Sequence, residues 1–417
     1  MKPRITIKPK DRDQNPVPVE GQTLSKPKIT LKVLPPKSGT LPPLSLRKEG
    51  TVYMFTNEVR SPKLAVFDMD DTLIHGDSGS DNWQWAYQEV PTRLRELVLQ
   101  GWKLVIISNQ HGLAKGQVDL GTMTRKLQSL YNQLQLPIEI YLATEKDTYR
   151  KPMTDLWTMI LTRMELTDKD VDPQSFYCGD AAGRPKGYFP GRPKDFAITD
   201  RYFAYNCGLR FLTPETMFLG LTRDFPYTDP YQSKLNLDCY RSSEPYPLPQ
   251  GYKASDRNLI LMVGSIASGK TILSQNPMFA GYVHLNNDTI KNAKKLRERF
   301  ETAIGTGQSV IIDNTNPQSE TRKAYITKAK GAGYKVYVYY MDFPKELSIH
   351  LNHMRAQLHH GQYPAVPIIA IHKYYKDLEP PQSQEGFDEI MTLRKLHWPK
   401  LSPEAERYFA YHYDLAK

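Results

Sequence analysis

The chain has 417 residues, 40% hydrophobic and 24% charged, a globular balance with enough length for two or three domains that each bury a core. No apolar run approaches the roughly 18 residues that span a bilayer, and the amino terminus lacks the apolar stretch of a signal peptide, so membrane and secreted classes are set aside. Cys178, Cys207 and Cys239 show no CxxC spacing and leave an odd one over, which fits a reducing, intracellular compartment rather than a disulfide framework.

The net charge of +10 is uneven. Residues 1 to 50 hold eleven Lys or Arg against four Asp or Glu, with nine prolines and few aromatics. Such a segment cannot bury enough apolar surface to offset its ordering entropy, so a disordered basic arm is expected there. Within it PRITIKPK and PKITLKVLP look like one short pattern written twice, either a docking strand for a partner's sheet edge or two chance-similar basic stretches.

From 51 to 224 short apolar runs alternate with helical patterns. KLAVF, a helix after Pro91, KLVIISN, a helix near 122 to 134, IEIYLAT, a helix near 153 to 165 and SFYCGD read as a doubly wound α/β domain. The stretch 225 to 256 is rich in Pro, Tyr, Asp and Ser without periodicity, a linker pattern. A second α/β domain is expected over 257 to 417, with strands at NLILMV, YVHLN, SVIID and YKVYVYY and a helix near 345 to 360.

Side chains at the carboxyl ends of such strands point into the crevice where ligands bind. Asp68 and Asp70 follow KLAVF directly. Two carboxylates one residue apart at a strand end can hold a divalent cation while one attacks phosphorus and the other protonates the leaving oxygen. That makes Asp68 the nucleophile and Asp70 the acid, then base. The residues resemble the haloacid dehalogenase superfamily. The resemblance implies that Ser108 in IISNQ binds the phosphoryl group, Lys151 in YRKP neutralises its charge, and Asp180 in YCGDAAGR joins Asp68 and Asp70 in holding Mg²⁺. The stretches SNQ, YRKP, GDAAGR and KDFAITDRYFAYNCGL are similar, more narrowly, to the phosphatase half of the eukaryotic polynucleotide kinase 3′-phosphatase family. That family usually has Gly where this chain has Asp71.

The second signature follows NLILMV: Gly264, Ser265, Ile266, Ala267, Ser268, Gly269, Lys270 and Thr271 fit GxxxxGK[ST] between a strand and a helix. In such a loop backbone N–H groups face the nucleotide phosphates, Lys270 neutralises the β and γ charges, and Thr271 holds Mg²⁺. Asn286-Asn287-Asp288-Thr289 and Asp313-Asn314-Thr315-Asn316-Pro317 resemble the kinase half of the same family. The resemblance makes Asp288 the base for a 5′-hydroxyl and gives Asp313 a supporting role near the metal. Arg355 fits a lid arginine that steadies charge on the transferring phosphoryl group. Asn287 and His353 stand where the family usually has Arg, which puts the strength of the phosphate grip in question. His350, His353, His359 and His360 lack carboxylate or cysteine companions at ligand spacing, so no metal site is expected from them. Trp83, Trp85 and Tyr87 suit either core packing or stacking on unpaired bases.

The resemblance spans about residues 51 to 417, in the order phosphatase then kinase, without the forkhead-associated domain of animal versions. It implies an enzyme that hydrolyses a 3′-phosphate through an aspartyl-phosphate and phosphorylates a 5′-hydroxyl with ATP, using Mg²⁺, and so makes ends ready for ligation. DNA with strand breaks is the expected substrate, with RNA as the alternative. A monomer is expected, acting in the nucleus, or at the replication site if the source is a virus. The arm would meet a repair ligase or scaffold, or add phosphate contacts. Two other readings stay open at this point: a small-molecule kinase fused to a small-molecule phosphatase, and a 3′-phosphatase or repair adaptor with an impaired kinase.

Overall fold

The computed structural model describes residues 44–77, 80–221, 226, 227, 229, 235–359, 365–397, 401–413 and 415. The arm expected over 1 to 50, with its paired patterns, lies mostly outside these residues.

The first half is built on a seven-stranded sheet ordered β1-β2-β7-β6-β3-β8-β9. Its strands are β1 (Arg47–Glu49), β2 (Val52–Phe55), β3 (Leu64–Phe67), β6 (Lys103–Asn109), β7 (Ile138–Ala143), β8 (Phe176–Cys178) and β9 (Arg210–Leu212). A short hairpin, β4 (Ile74–His75) and β5 (Gln84–Trp85), stands apart from it. From β7 to β9 the pairing is parallel, and β2 joins antiparallel. β3 is buried along its whole length because both faces of the sheet are covered. Its side chains alternate accordingly, with Ala65 and Phe67 entering one core and Leu64 and Val66 the other.

Helices cover both faces. The helix Val90–Leu99 carries Pro91 in its first turn, where the fixed φ of proline fits. Leu120–Leu134 is capped by Asp119, whose carboxylate accepts from Thr122 N, and buries Met123, Leu127, Leu130, Tyr131 and Leu134 along one face. It ends where Gln135 turns left-handed at φ 53°.

The second half carries an all-parallel sheet of β11 (Asn258–Val263), β12 (Val283–Leu285), β13 (Val310–Ile312), β14 (Lys335–Met341) and β15 (Glu389–Leu393), ordered β12-β13-β11-β14-β15. β10 (Arg241–Ser242) pairs with β16 (Leu396–His397) beside it. Ile260 and Met262 of β11 face one core, and Leu259, Leu261 and Val263 the other. In both sheets the chain leaves the first central strand for one side and returns on the other, so β3 and β11 each end at a topological switch point.

Two expected boundaries move. The first sheet opens before residue 51, with β1 as an edge strand and Leu44 buried in its core. Part of the expected linker 225 to 256 belongs to the second half: Leu235 and Tyr246 are buried in its core, and β10 pairs there. The same apolar cluster takes in Met153, Ile198 and Tyr202 from the first half, so the halves touch. Among the described residues no helix is long and apolar enough to cross a membrane.

Candidate active sites

Asp68 and Asp70 emerge from the carboxyl end of β3, Ser108 near that of β6, and Asp180 just past β8. The expected phosphatase residues therefore converge on one crevice. Lys151 Nζ reaches Asp68 Oδ1 at 2.6 Å, Asp200 Oδ1 at 2.8 Å, Tyr177 OH at 2.6 Å and Ile107 O at 3.0 Å. Its backbone is held by Asn109, which accepts from Lys151 N at 3.0 Å and donates to Lys151 O at 3.2 Å. Burial works against the Lys151 charge, but Asp200 and Asp68 outweigh it and raise its pKa. Burial pushes the Asp68 carboxyl up to about 8, with Asp200 and Asp70 adding to the effect and Lys151 opposing it.

The carboxylates sort differently from the expectation. Asp68, Asp180 and Asp200 bring ligand oxygens within 4.8 Å of one another. Asp70, expected among the metal ligands, is outside that group: its Oδ2 accepts from Gln110 Nε2 at 2.6 Å and from Ser108 Oγ at 3.5 Å. The backbone bridge from Asp70 to Ile74 opens the β4 hairpin at this point, and the side chain meets the end of β6. Burial raises the pKa of Asp70 and lifts that of Asp180 well above the ordinary carboxylate range. Several acids beside one lysine in a buried crevice favour a cation there, so the donor set fits a hard divalent ion.

Asp200, Tyr177 and Gln110 were not singled out from the sequence. Asp200 is 2% exposed and accepts from Ala181 N at 3.0 Å as well as from Lys151. It fills the space a side chain at 179 would need: a Cβ on Gly179 would lie 2.4 Å from Asp200 Oδ2. Arg184 secures the same loop, donating to Asp180 O, Asp195 and Glu215. Asp71, where the resemblance calls for Gly, adopts φ 56° and meets His75 Nδ1 at 2.6 Å, so its carboxylate compensates for a backbone shape that glycine tolerates best. Trp83 and Trp85 touch edge to face at 4.8 Å and pack on the core beside Tyr87.

The second site follows β11. Gly264 to Thr271 wrap from the strand into the helix Lys270–Ser274, with Ala267 at φ 60° and Gly269 at φ 87°. A Cβ on Gly264 would lie 2.7 Å from Ser268 Oγ, which is why the loop closes so tightly. Lys270 Nζ donates to Ser265 O at 2.6 Å, and burial lowers its pKa to about 8. Thr271 Oγ1 donates to Asp313 Oδ2 at 2.8 Å, an oxygen also within reach of His284 Nε2 (3.2 Å) and Asn286 Nδ2 (3.1 Å). Asp313 Oδ1 is buried without a hydrogen-bond partner.

A cavity of about 610 Å³ joins these groups to Asp288 and Arg355. Asp288 is exposed in it and held by its backbone N–H on Asn286 Oδ1 at 2.6 Å. Arg355 comes from the helix Lys345–Leu358 and donates to Asn352 Oδ1 at 3.1 Å. Burial lowers its pKa, and Asp288 opposes this. Asn287 lines the cavity, so an uncharged side chain stands there. His353 instead stacks on Tyr413, with ring centroids 5.4 Å apart. His350, expected on a partly exposed helix, is fully buried, and burial drops its pKa to about 3.

Comparison with known proteins yields matches to both halves. Residues 63–218 match the model of the family described as polynucleotide kinase 3 phosphatase, and residues 259–381 match an AAA domain model. A candidate bifunctional polynucleotide phosphatase/kinase of Acanthamoeba polyphaga mimivirus is 32% identical over 358 residues, covering 79% of this chain and 84% of that protein. The bifunctional polynucleotide phosphatase/kinase of Schizosaccharomyces pombe is 32% identical over 339 residues, 79% of each chain. A polynucleotide 3′-phosphatase of Arabidopsis thaliana is 31% identical over 176 residues, covering 38% of this chain and 24% of that protein.

Proposed function

The chain belongs to the bifunctional polynucleotide phosphatase/kinase family, and from that premise we propose that it restores broken strand ends, removing a 3′-phosphate in its first half and phosphorylating a 5′-hydroxyl in its second. The observation that carries this reading is the pairing of two phosphate-directed centres at the switch points of two sheets: Asp68 at 2.6 Å from Lys151, and the Lys270 loop opening on Asp288 and Arg355. DNA is the substrate proposed, and RNA is the other outcome of the same assay.

In the phosphatase half an Asp68 oxygen attacks phosphorus while the bond to the 3′ oxygen breaks. Asp70 delivers its proton to that leaving oxygen, a role its burial-raised pKa supports. Ser108 and Lys151 receive the phosphoryl oxygens. Asp70 then takes a proton from the water that attacks the aspartyl-phosphate, which releases orthophosphate and returns Asp68. Gln110 aims Asp70, and Asp200 with Tyr177 aims Lys151. Asp68, Asp180 and Asp200 would hold Mg²⁺, whose charge would oppose that of the phosphate.

In the kinase half ATP is the donor. Asp288 accepts the proton of the 5′-hydroxyl as its oxygen attacks the γ-phosphorus and ADP departs. Lys270 and Arg355 balance the charge that moves, and Thr271 with Asp313 would hold Mg²⁺.

The test is a nicked duplex with a 3′-phosphate and a 5′-hydroxyl, given Mg²⁺ and γ-labelled ATP, with an RNA counterpart in parallel. Asp68→Asn is expected to abolish 3′ release alone and Lys270→Ala to abolish 5′ labelling alone. An intact protein that edits neither end, but turns over free nucleotides or sugar phosphates, would sink the reading.

A further inference from the structure

The last described residues run between the two halves. Asn206 ends the helix Thr199–Asn206 of the first half; its Nδ2 donates to His412 O at 3.0 Å and its Oδ1 accepts from His412 N at 2.8 Å. The same Nδ2 donates to Pro152 O at 3.0 Å, one residue beyond Lys151. Hydroxyls of Thr154 and Tyr411 are bonded to each other, and the His412 ring lies 5.2 Å from that of Tyr202. On the opposite side, Tyr413 stacks on His353 with an interplanar angle of 14° and meets His350 edge-on at 5.0 Å. Its hydroxyl donates to Tyr408 O at 2.8 Å.

Both donors of the Asn206 amide and its oxygen are thus engaged by backbone groups from two distant stretches. An apolar side chain of the same size would leave those groups unpaired in a partly buried place. Two asparagines hold the stretch Lys151–Pro152, Asn109 on the Lys151 N–H and carbonyl and Asn206 on the Pro152 carbonyl. His353, which receives Tyr413, shares a helical turn with Arg355. A continuous run of bonded and packed groups therefore leads from the loop that places the Lys151 ammonium to the helix that places the Arg355 guanidinium.

We propose that Asn206 and Tyr413 are positioning residues of a linchpin, the segment Tyr411–Tyr413, through which each active site depends for its geometry on a residue of the other half. The two activities read in the test rest on the function proposed above. Tyr413 belongs to the second half, where it packs on His353 and His350, and its removal loosens His412 from Asn206 and so the Lys151 loop. Asn206 does the reverse for the lid helix.

The experiment is steady-state kinetics of both reactions in the intact chain for Tyr413→Ala, Tyr413→Phe, Asn206→Leu and the Tyr413→Ala/Asn206→Leu double variant. Tyr413→Ala is expected to lower kcat for 3′ release about ten-fold with KM unchanged, and Asn206→Leu to lower kcat for 5′ phosphorylation about five-fold, the range of coupling through packed networks. Tyr413→Phe keeps the ring and should keep both rates. The double variant should be no worse than about the weaker single variant in each reaction, because the two changes break one connection. Should Tyr413→Ala fail to fold in circular dichroism, His412→Pro carries the same expectation by deleting the single N–H that Asn206 accepts. If Tyr413→Ala (or His412→Pro in its place) impairs only 5′ labelling, Asn206→Leu only 3′ release, and their effects multiply, the linchpin is wrong. A wild-type protein inactive on both ends would instead overturn the functional reading.

Discussion

The two centres treat a buried lysine in opposite ways. Lys151 is enclosed by Asp68, Asp200, Tyr177 and a carbonyl, a cage complete before any phosphate arrives. Lys270 has one carbonyl partner, and no carboxylate lies at ion-pair distance among the described residues. Arg355 Nε and Asp313 Oδ1, in the same cavity, are buried without a partner. The phosphatase centre is preorganised by its own charges, whereas the kinase centre leaves positive charge and acceptor capacity for a nucleotide to complete. That contrast suits the chemistry: one half must poise a nucleophile of its own, and the other lends none and only receives two substrates.

The sharpest way to break the contrast is Lys151→Met. Removing one member of a buried ion pair strands the other, so a stability loss of about 3 kcal/mol and a fall of about 10³-fold in 3′ release are expected, read by urea unfolding and by phosphate release. A variant as stable as the wild type would mean that the ion pairs of Lys151 contribute no net stability.

Next comes Asp200→Asn, which keeps the shape but drops one negative charge and turns one of two accepting oxygens into a donor, facing either Lys151 and Tyr177 or Ala181 N. We expect 3′ release to fall about 30-fold and the Mg²⁺ concentration for half-maximal rate to rise, with 5′ labelling unchanged. Lack of any change in metal dependence would place Asp200 purely as a partner of Lys151.

Lys270→Met should behave unlike Lys151→Met. The folded pKa of Lys270, about 8, lies below its ordinary value of 10.5, so the folded state binds this proton less tightly than the unfolded chain does. The charged lysine therefore costs stability below pH 8, and the cost fades as pH rises from 8 towards 10.5. Lys270→Met should melt about 3 °C higher than wild type at pH 7, with the gain vanishing near pH 10, while 5′ labelling is lost. Scanning calorimetry at the two pH values decides it; a gain that grows with pH would be incompatible with the assignment.

The smallest effect expected is from Asn287→Arg, which places a cation on the cavity wall and should raise kcat/KM for 5′-hydroxyl ends about three-fold at low salt, less at high salt. An unchanged value would mean that this position does not meet the strand.

The strands and loops that carry the chemistry were legible because central parallel strands are uninterrupted apolar runs and the groups that follow them are functional rather than structural in type. KLAVF and NLILMV show both properties. Asp200 was not legible, since it sits in the first turn of a later helix, where an acid reads as a favourable charge at a helix start. β1 escaped notice because the residues of an edge strand such as Arg47–Glu49 are exposed and show no alternation. Tyr246 looked like part of a linker because its surroundings are rich in proline. The pairing of Asn206 with His412 joins positions far apart in the chain, and nothing local announces it.

Gly179 carries a consequence that its smallness conceals. The volume its missing side chain would occupy is already taken by the carboxylate of Asp200, so a single methyl group at this position could be accommodated only by evicting an anion. Gly179→Ala would add one carbon and a net two hydrogens and yet register as an electrical fault: Lys151 would lose a counterion while every charged residue in the sequence remained in place.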